Sequence, residues 1–328
     1  MEAIMKKSKF NSFLNSLSEL TINQLQSLLC KASNLKTGAF VVAETVSKCE
    51  SLSCPHCNSY DSHKWGKLRG LQRYRCKGCK KTYTALTGTP IANLHHIDLW
   101  MNYMGELIKG STVHEAAASC RIDPKTSFRW RHRFLAMLDS AHECKLEGII
   151  EMDETFFLNS KKGNKNLDRS ARKRGGTASQ RGRSKEHVAV VIGQDRSGHI
   201  HYSVMQDFNH DNLKSDLLDS IQKDVVLCTD SSPVYKALAS RENLKHKPVN
   251  LSQGIRVIDG VYHIQHVNSY HSRLKKWIGK FHGVATKYLD HYVNWQRVIE
   301  RTRFLADKSA RWMEIMVRPD EFQHVSPK

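Results

Sequence analysis

No run of the sequence approaches the ~20 consecutive apolar residues that a membrane-spanning helix requires. The N-terminus, MEAIMKKSKFNSFL, lacks a clean apolar signal core followed by a small-residue cleavage site. The nine cysteines are odd in number and unevenly placed, which speaks for thiolate ligands and free thiols and against a disulfide framework. These absences predict a soluble cytoplasmic protein. The last shortage is of acid: 32 Asp and Glu face 51 Lys and Arg, a formal charge of +19. A surplus of that size points to a polyanionic partner, nucleic acid first and an anionic membrane surface second.

At 328 residues the chain is long enough for a sizeable core and two or three domains. Phe10, Phe13, Leu14 and Leu17 fall at helical spacing, and a second start at Thr21 is followed by Ile22, Leu25, Leu28 and Leu29, so two short amphipathic helices are expected. Then comes CPHC, eighteen residues, and CKGC. That spacing predicts a zinc ribbon in which Cys54, Cys57, Cys76 and Cys79 hold a structural Zn²⁺ that replaces a hydrophobic core. Gly78 suits a tight turn inside the second knuckle. Between the knuckles, Lys64, Lys67, Arg69, Arg73 and Arg75 alternate with Trp65 and Tyr74, as expected of short strands with a basic face.

From Ile97 to Leu138 the pattern turns helical, with Leu99, Trp100, Tyr103, Met104 and Leu107 on one face. Ser111 or Thr112 can cap the next helix, and after Arg121-Ile122-Asp123 another starts at Pro124, through Phe128, Trp130 and Phe134. This reads as a helix-turn-helix whose last helix exposes Lys125, Arg129, Arg131, His132 and Arg133 toward DNA.

The stretch GIIEMDETFF, Gly148 to Phe157, is an apolar strand with Asp153 in its middle, and a carboxylate there is costly unless it serves a metal or a reaction. Asn159 to His187 holds ten Lys or Arg against two acids, too polar to fold on apolar burial, and is expected to be a mobile basic loop that orders on nucleic acid. A hairpin over His187–Gln194 and His199–Gln206 and a helix over Asn212 to Lys223 follow. A second apolar strand, Asp224 to Thr229, then ends at Asp230. Two strands that each present an Asp, separated by a hairpin and a helix, outline an α/β, RNase H-like fold. Two hard carboxylates brought together suit Mg²⁺ or Mn²⁺ against a phosphate.

These features together resemble the DDE-type insertion-sequence transposases of bacteria, in particular the zinc-ribbon group known as the insertion-sequence fifteen-ninety-five family, with its ISXO-like catalytic domain. The resemblance covers roughly Ser51 to Arg303: CPHC with CKGC, Asp153-Glu154-Thr155, TDSSPVY from Thr229 to Tyr235, HVNSYHSRLKKW from His266 to Trp277, and GVATKYLDHYVNW from Gly283 to Trp295. The family pattern has a third acidic ligand in a stretch like H-x-N-x-x-E. Here His266 and Asn268 match the flanks and His271 stands where the Glu would be, so either Asn268 or His271 completes the set; relatives use Asn or His there.

The resemblance implies a mixed five-stranded sheet with helices and a transposase that binds the element's terminal inverted repeats, then cuts and joins strands. Mg²⁺ or Mn²⁺ would sit on Asp153, Asp230 and the third residue. Arg129, Arg133, Lys173, Arg174 and Lys275 are expected on DNA, Lys275 at a phosphate. The implied organisation is a helical segment over 1–48, the ribbon over 49–90, the helix-turn-helix over 91–145, the catalytic domain over 146–305 and a tail over 306–328. The partners are element ends, target DNA and further copies of the chain, with no membrane, and the place is a bacterial cytoplasm, at the nucleoid when bound to DNA. Two other functions fit parts of the pattern: a catalytically impaired, DNA-binding regulator, favoured by the missing third carboxylate, and an RNase H-type nuclease, which leaves the zinc module unexplained.

Overall fold

The computed structural model describes residues 6–29, 32, 53–138, 145–167, 170, 176–180, 184–250, 253–304, 308 and 312. The chain divides into two compact units, residues 1–131 with 307–328, and residues 132–306. Among the described residues no helix is long and apolar enough to cross a membrane.

In the first unit, α1 (Lys7–Ser16) and a helix over 22–29 occupy the places expected of the amphipathic pair. Their Phe10, Phe13, Leu14, Ile22 and Leu29 are exposed. The ribbon is a three-stranded antiparallel sheet, β1 (Ser62–Leu68), β2 (Leu71–Cys76) and β3 (Thr82–Tyr83), in that order. Its core is small: Cys54, Tyr74, Cys76, Tyr83 and Ala85, with Cys79 against it.

Three helices follow: α2 (Ile97–Ile108), α3 (Val113–Cys120) and α4 (Pro124–Leu138). Of the two possible caps for α3, Thr112 is used. Its Oγ1 accepts the Glu115 N–H at 3.3 Å while the Glu115 carboxylate accepts the Thr112 N–H at 2.6 Å, a reciprocal capping box. Arg121 ends α3 in the left-handed region, and the Asp123 carboxylate caps α4 through the Lys125 N–H at 2.7 Å. The helix-turn-helix expectation on α4 needs one correction. Arg131 is buried, and its Nη2 donates to the Ser111 carbonyl at 2.6 Å, so this charge locks the start of α3 and does not face DNA. Lys125 and Arg129 are exposed, Arg133 and His132 are half-buried, and Phe128 is 44% exposed.

The second unit is a mixed five-stranded sheet in the order β6-β5-β4-β7-β8. β4 (Ile149–Leu158), β5 (His187–Asp195) and β6 (Ile200–Met205) form an antiparallel meander, while β7 (Val226–Asp230) and β8 (Lys245–Val249) add in parallel on the other side of β4. This is the RNase H-like arrangement, with one Asp on the first strand and one at the end of the fourth. The expected helix over 212–223 begins earlier and is shorter, α5 (His210–Leu217), capped by Asn209. α6 (Pro233–Arg241) starts on a proline at its first turn.

Alternation along β4 assigns the two faces of the sheet. Ile150 and Met152 join Val191, Leu213, Leu217, Leu227, Tyr235 and Leu238 in the main apolar cluster with α5 and α6. Glu151 and Asp153 point the opposite way, toward α7 (Gln265–Lys280), which packs on β4 and β5. α8 (Leu289–Thr302) packs on β6 and α7 through Trp277, Phe281, Tyr292 and Trp295, whose rings meet at centroid distances of 4.8–5.5 Å, and it supplies the closing helix expected after Gly283.

Candidate functional site

The parallel register of β4 on β7 pairs Glu151 with Cys228 and Met152 with Thr229. Continued by one residue, it sets Asp153 beside Asp230 on neighbouring strands about 4.8 Å apart, with both side chains on the α7 face. Asp230 is held at the strand end by a turn in which its Oδ1 accepts the Ser232 N–H at 3.0 Å. From α7, the buried His271 brings Nδ1 to 3.5 Å from Asp153 Oδ2. Its Nε2 is also buried and has no hydrogen-bond partner among the described residues. Two carboxylates and an imidazole are donor types that suit a divalent cation, although Asp153, Asp230 and His271 are not among the described groups whose ligand atoms all lie within 4.8 Å of one another. Asn268 and Lys275, on the same helix, are both exposed.

The opposite face of β4 supports this arrangement. Glu154 accepts from the Tyr235 hydroxyl at 2.8 Å. Burial first, then the negative charges of Glu154, Asp153 and Asp230, push that hydroxyl well above its usual range, so it stays a donor. Cys228, next to Asp230 on the α7 face, is pushed up to about 11, chiefly by burial, and remains a thiol.

A second cluster on the α7 face was not foreseen. Glu151, only 1% exposed, accepts the N–H of His266 at 2.8 Å and of Val267 at 3.2 Å. His266 Nδ1 lies 2.6 Å and His263 Nδ1 3.2 Å from its Oε1, which also pairs with Arg196. Glu151 and His266 are 115 residues apart in the chain. The only sequence signal was a second acid two residues before Asp153, hence on the same face.

The four ribbon cysteines also converge. Cys54 and Cys79 Sγ lie 3.7 Å apart, Cys57 and Cys76 Sγ 3.5 Å apart, and all four sulfurs are within 4.8 Å of one another. A tetrahedron of Zn–S bonds of about 2.3 Å separates its sulfurs by about 3.8 Å, so the set fits zinc. Each knuckle closes by an N–H bond to the carbonyl of its first cysteine, from Asn58 at 2.8 Å and from Lys80 at 3.1 Å. Asn58 and Lys80 take the left-handed conformation, at φ 57° and 62°. Gly78 lies in the turn of the second knuckle, as expected, while the left-handed residue there is Lys80. Backbone N–H groups of Cys79 and Gly78 hold the Cys76 thiol down to about 6, while burial raises Cys54 to about 11. Lys173 and Arg174 lie outside the described residues.

Residues 145–296 match the profile of the ISXO2-like transposase domain. The chain is 26% identical over 244 residues to an uncharacterized protein in transposable element ISH50 of Halobacterium salinarum, an archaeon, covering 73% of this chain and 82% of that one. Among solved structures it is similar to the mariner Mos1 paired end complex with Mg, at 15% identity, TM-score 0.24 and 69% and 79% coverage of the two chains. The Mos1 strand transfer complex gives 14%, 0.22, 68% and 78%. Likeness at that level of superposition carries nothing further to this chain. The profile match, on a sheet of RNase H-like order, makes residues 145–296 similar to the ISXO2-like transposase domain.

Proposed function

We propose that the protein is a transposase that binds the terminal inverted repeats of its own element, cleaves there, and joins the freed 3′ ends to target DNA. The observation that carries this reading is the adjacency of Asp153 and Asp230 on one face of the sheet, with the His271 imidazole against Asp153. These three residues would hold Mg²⁺ or Mn²⁺. When bound, the ion supplies a nucleophile at neutral pH and offsets charge on the leaving oxygen. The 3.5 Å approach of His271 and the exposure of Asn268 favour His271 as the third ligand. Cys54, Cys57, Cys76 and Cys79 hold a structural Zn²⁺. Arg129 and Arg133 contact the repeats, Lys275 a phosphate, and Lys173 and Arg174 the DNA backbone without sequence preference. Several copies assemble on the paired ends.

The test is a labelled DNA carrying the element's ends, incubated with the protein in Mn²⁺. The expected products are 3′-hydroxyl ends and joined strands from the unaltered protein. Asp153→Ala and Asp230→Ala should give neither while still binding the ends. Cleavage persisting in both variants would show the assignment to be wrong. One observation favours a second reading, a DNA-binding regulator that has kept the fold: His271 stands where the family pattern has a carboxylate. That reading expects metal-independent binding and no nicking by the unaltered protein.

A further inference from the structure

The cluster around Glu151 has the donor chemistry of a metal site, since Glu151, His263 and His266 bring ligand atoms within 4.8 Å of one another. The contacts of Arg196 decide against one. Its Nη1 donates to Glu151 Oε1, lies 2.8 Å from His266 Nδ1 and 3.2 Å from His263 Nε2, and its Nη2 donates to the Val261 carbonyl at 2.7 Å. A guanidinium, charged at any accessible pH, already occupies the point where the three ligands converge and already neutralises the carboxylate.

The remaining bonds of Glu151 tell what the cluster does. α7 begins after Ile264, a residue with no side-chain acceptor, and of its first-turn N–H groups His263 Nδ1 accepts only that of Gln265, at 3.3 Å. Its second and third residues, His266 and Val267, donate their N–H groups to Glu151 instead. Two otherwise unmet donors and the positive end of the helix are thus satisfied by a carboxylate from β4.

We infer that Glu151, clamped by Arg196, is a positioning residue that sets the register of α7 on β4 and so delivers His271 to Asp153. The spacing supports it. From Val267 to His271 the helix advances four residues, about 6 Å. From Glu151 to Asp153 the strand advances two residues, about 6.7 Å. Pinning 267 at 151 therefore brings 271 opposite 153, and both residues of the strand face the helix. A displacement of α7 by one residue turns the His271 side chain about 100° around the helix axis and away from Asp153.

The inference deepens the proposed metal chemistry and rests on it for the role of His271, so its test needs one readout that involves no metal. In the full-length, zinc-loaded protein, Glu151→Gln keeps shape and removes the charge. Hydrogen exchange of the segment 261–271 should quicken about tenfold at the cap, and unchanged exchange would overturn the inference. Mn²⁺ affinity, read from loss of the free-ion electron paramagnetic resonance signal, should fall about tenfold in Glu151→Gln. It should fall no further when that change is added to His271→Ala. Unchanged affinity, or an equal further loss in the His271→Ala background, means that Glu151 does not act through His271. Zinc content should stay at one per chain in both proteins, and loss of a second zinc on changing Glu151 would mark a metal site instead. Should Glu151→Gln fail to fold, Arg196→Met, which leaves the two backbone bonds in place, should show the same pattern at about threefold. Mn²⁺ binding that is indifferent to Asp153→Ala overturns the metal reading, while the exchange result still decides the cap.

Discussion

The ribbon and the five-stranded sheet solve the problem of stability in opposite ways. The ribbon's core is five buried residues, two of them cysteines, far too little apolar surface to hold a fold in water. Among the described residues the sheet has thirteen in its main cluster, covered by α5 and α6, and it can therefore present acids on its other face. On the proposed reading a metal ion in the first would be part of the fold, whereas in the second it would serve chemistry, with the carboxylates tolerated because the apolar face carries the stability.

The largest test of this contrast is removal of the ribbon zinc. Cys76→Ser or a strong chelator should unfold the ribbon, since structural zinc contributes roughly 10–16 kcal/mol in small zinc modules. Calorimetry should show the sheet's transition surviving while binding to the element's ends is lost. Loss of both transitions together would break the comparison. Next, Asp153→Asn or Asp230→Asn should lower cleavage by ~10³-fold or more, because several kcal/mol of charge stabilisation depends on the ion. The melting temperature should hold or rise, as two neighbouring carboxylates repel. A marked fall in melting temperature would mean that the acids are structural.

A smaller effect separates two neighbours on α7. His271→Ala should weaken Mn²⁺ binding ~10–100-fold, the range seen even for residues that only support a metal ligand, whereas Asn268→Ala should change it by less than about threefold. The reverse order would return the third ligand to Asn268. The smallest effect belongs to the first unit. Arg129→Ala should weaken end binding and make the slope of log affinity against log salt shallower by about one, as for the loss of a single phosphate contact. No change in slope would remove Arg129 from the DNA.

What could be read from the chain follows the reach of each interaction. The cysteine pairs and the alternating run in β4 are local patterns, and both led to the correct sheets. β8 went unlocated because Lys245, Lys247 and Pro248 suppress the apolar signal of a strand, and its backbone pairs with β7 nonetheless. Arg131 was placed on the surface because arginine usually is, and only the folded turn shows the Ser111 carbonyl that receives it. The family resemblance narrowed the third position to Asn268 and His271, and of the two His271 lies near Asp153 while Asn268 is exposed. That placement depends on Glu151 meeting His266 across most of the domain, which no local pattern encodes.

The outer strand of the sheet bears on how copies of the chain meet. At Pro248 the β8 edge has no amide hydrogen to offer, and Lys245 is exposed there. A strand from a neighbouring molecule would meet a missing donor and a repelling charge, so this rim discourages the sheets of two copies from fusing into one. If copies gather on one DNA molecule as proposed, they would be held by side chains and the duplex and not by a shared sheet, an association that could be undone after joining.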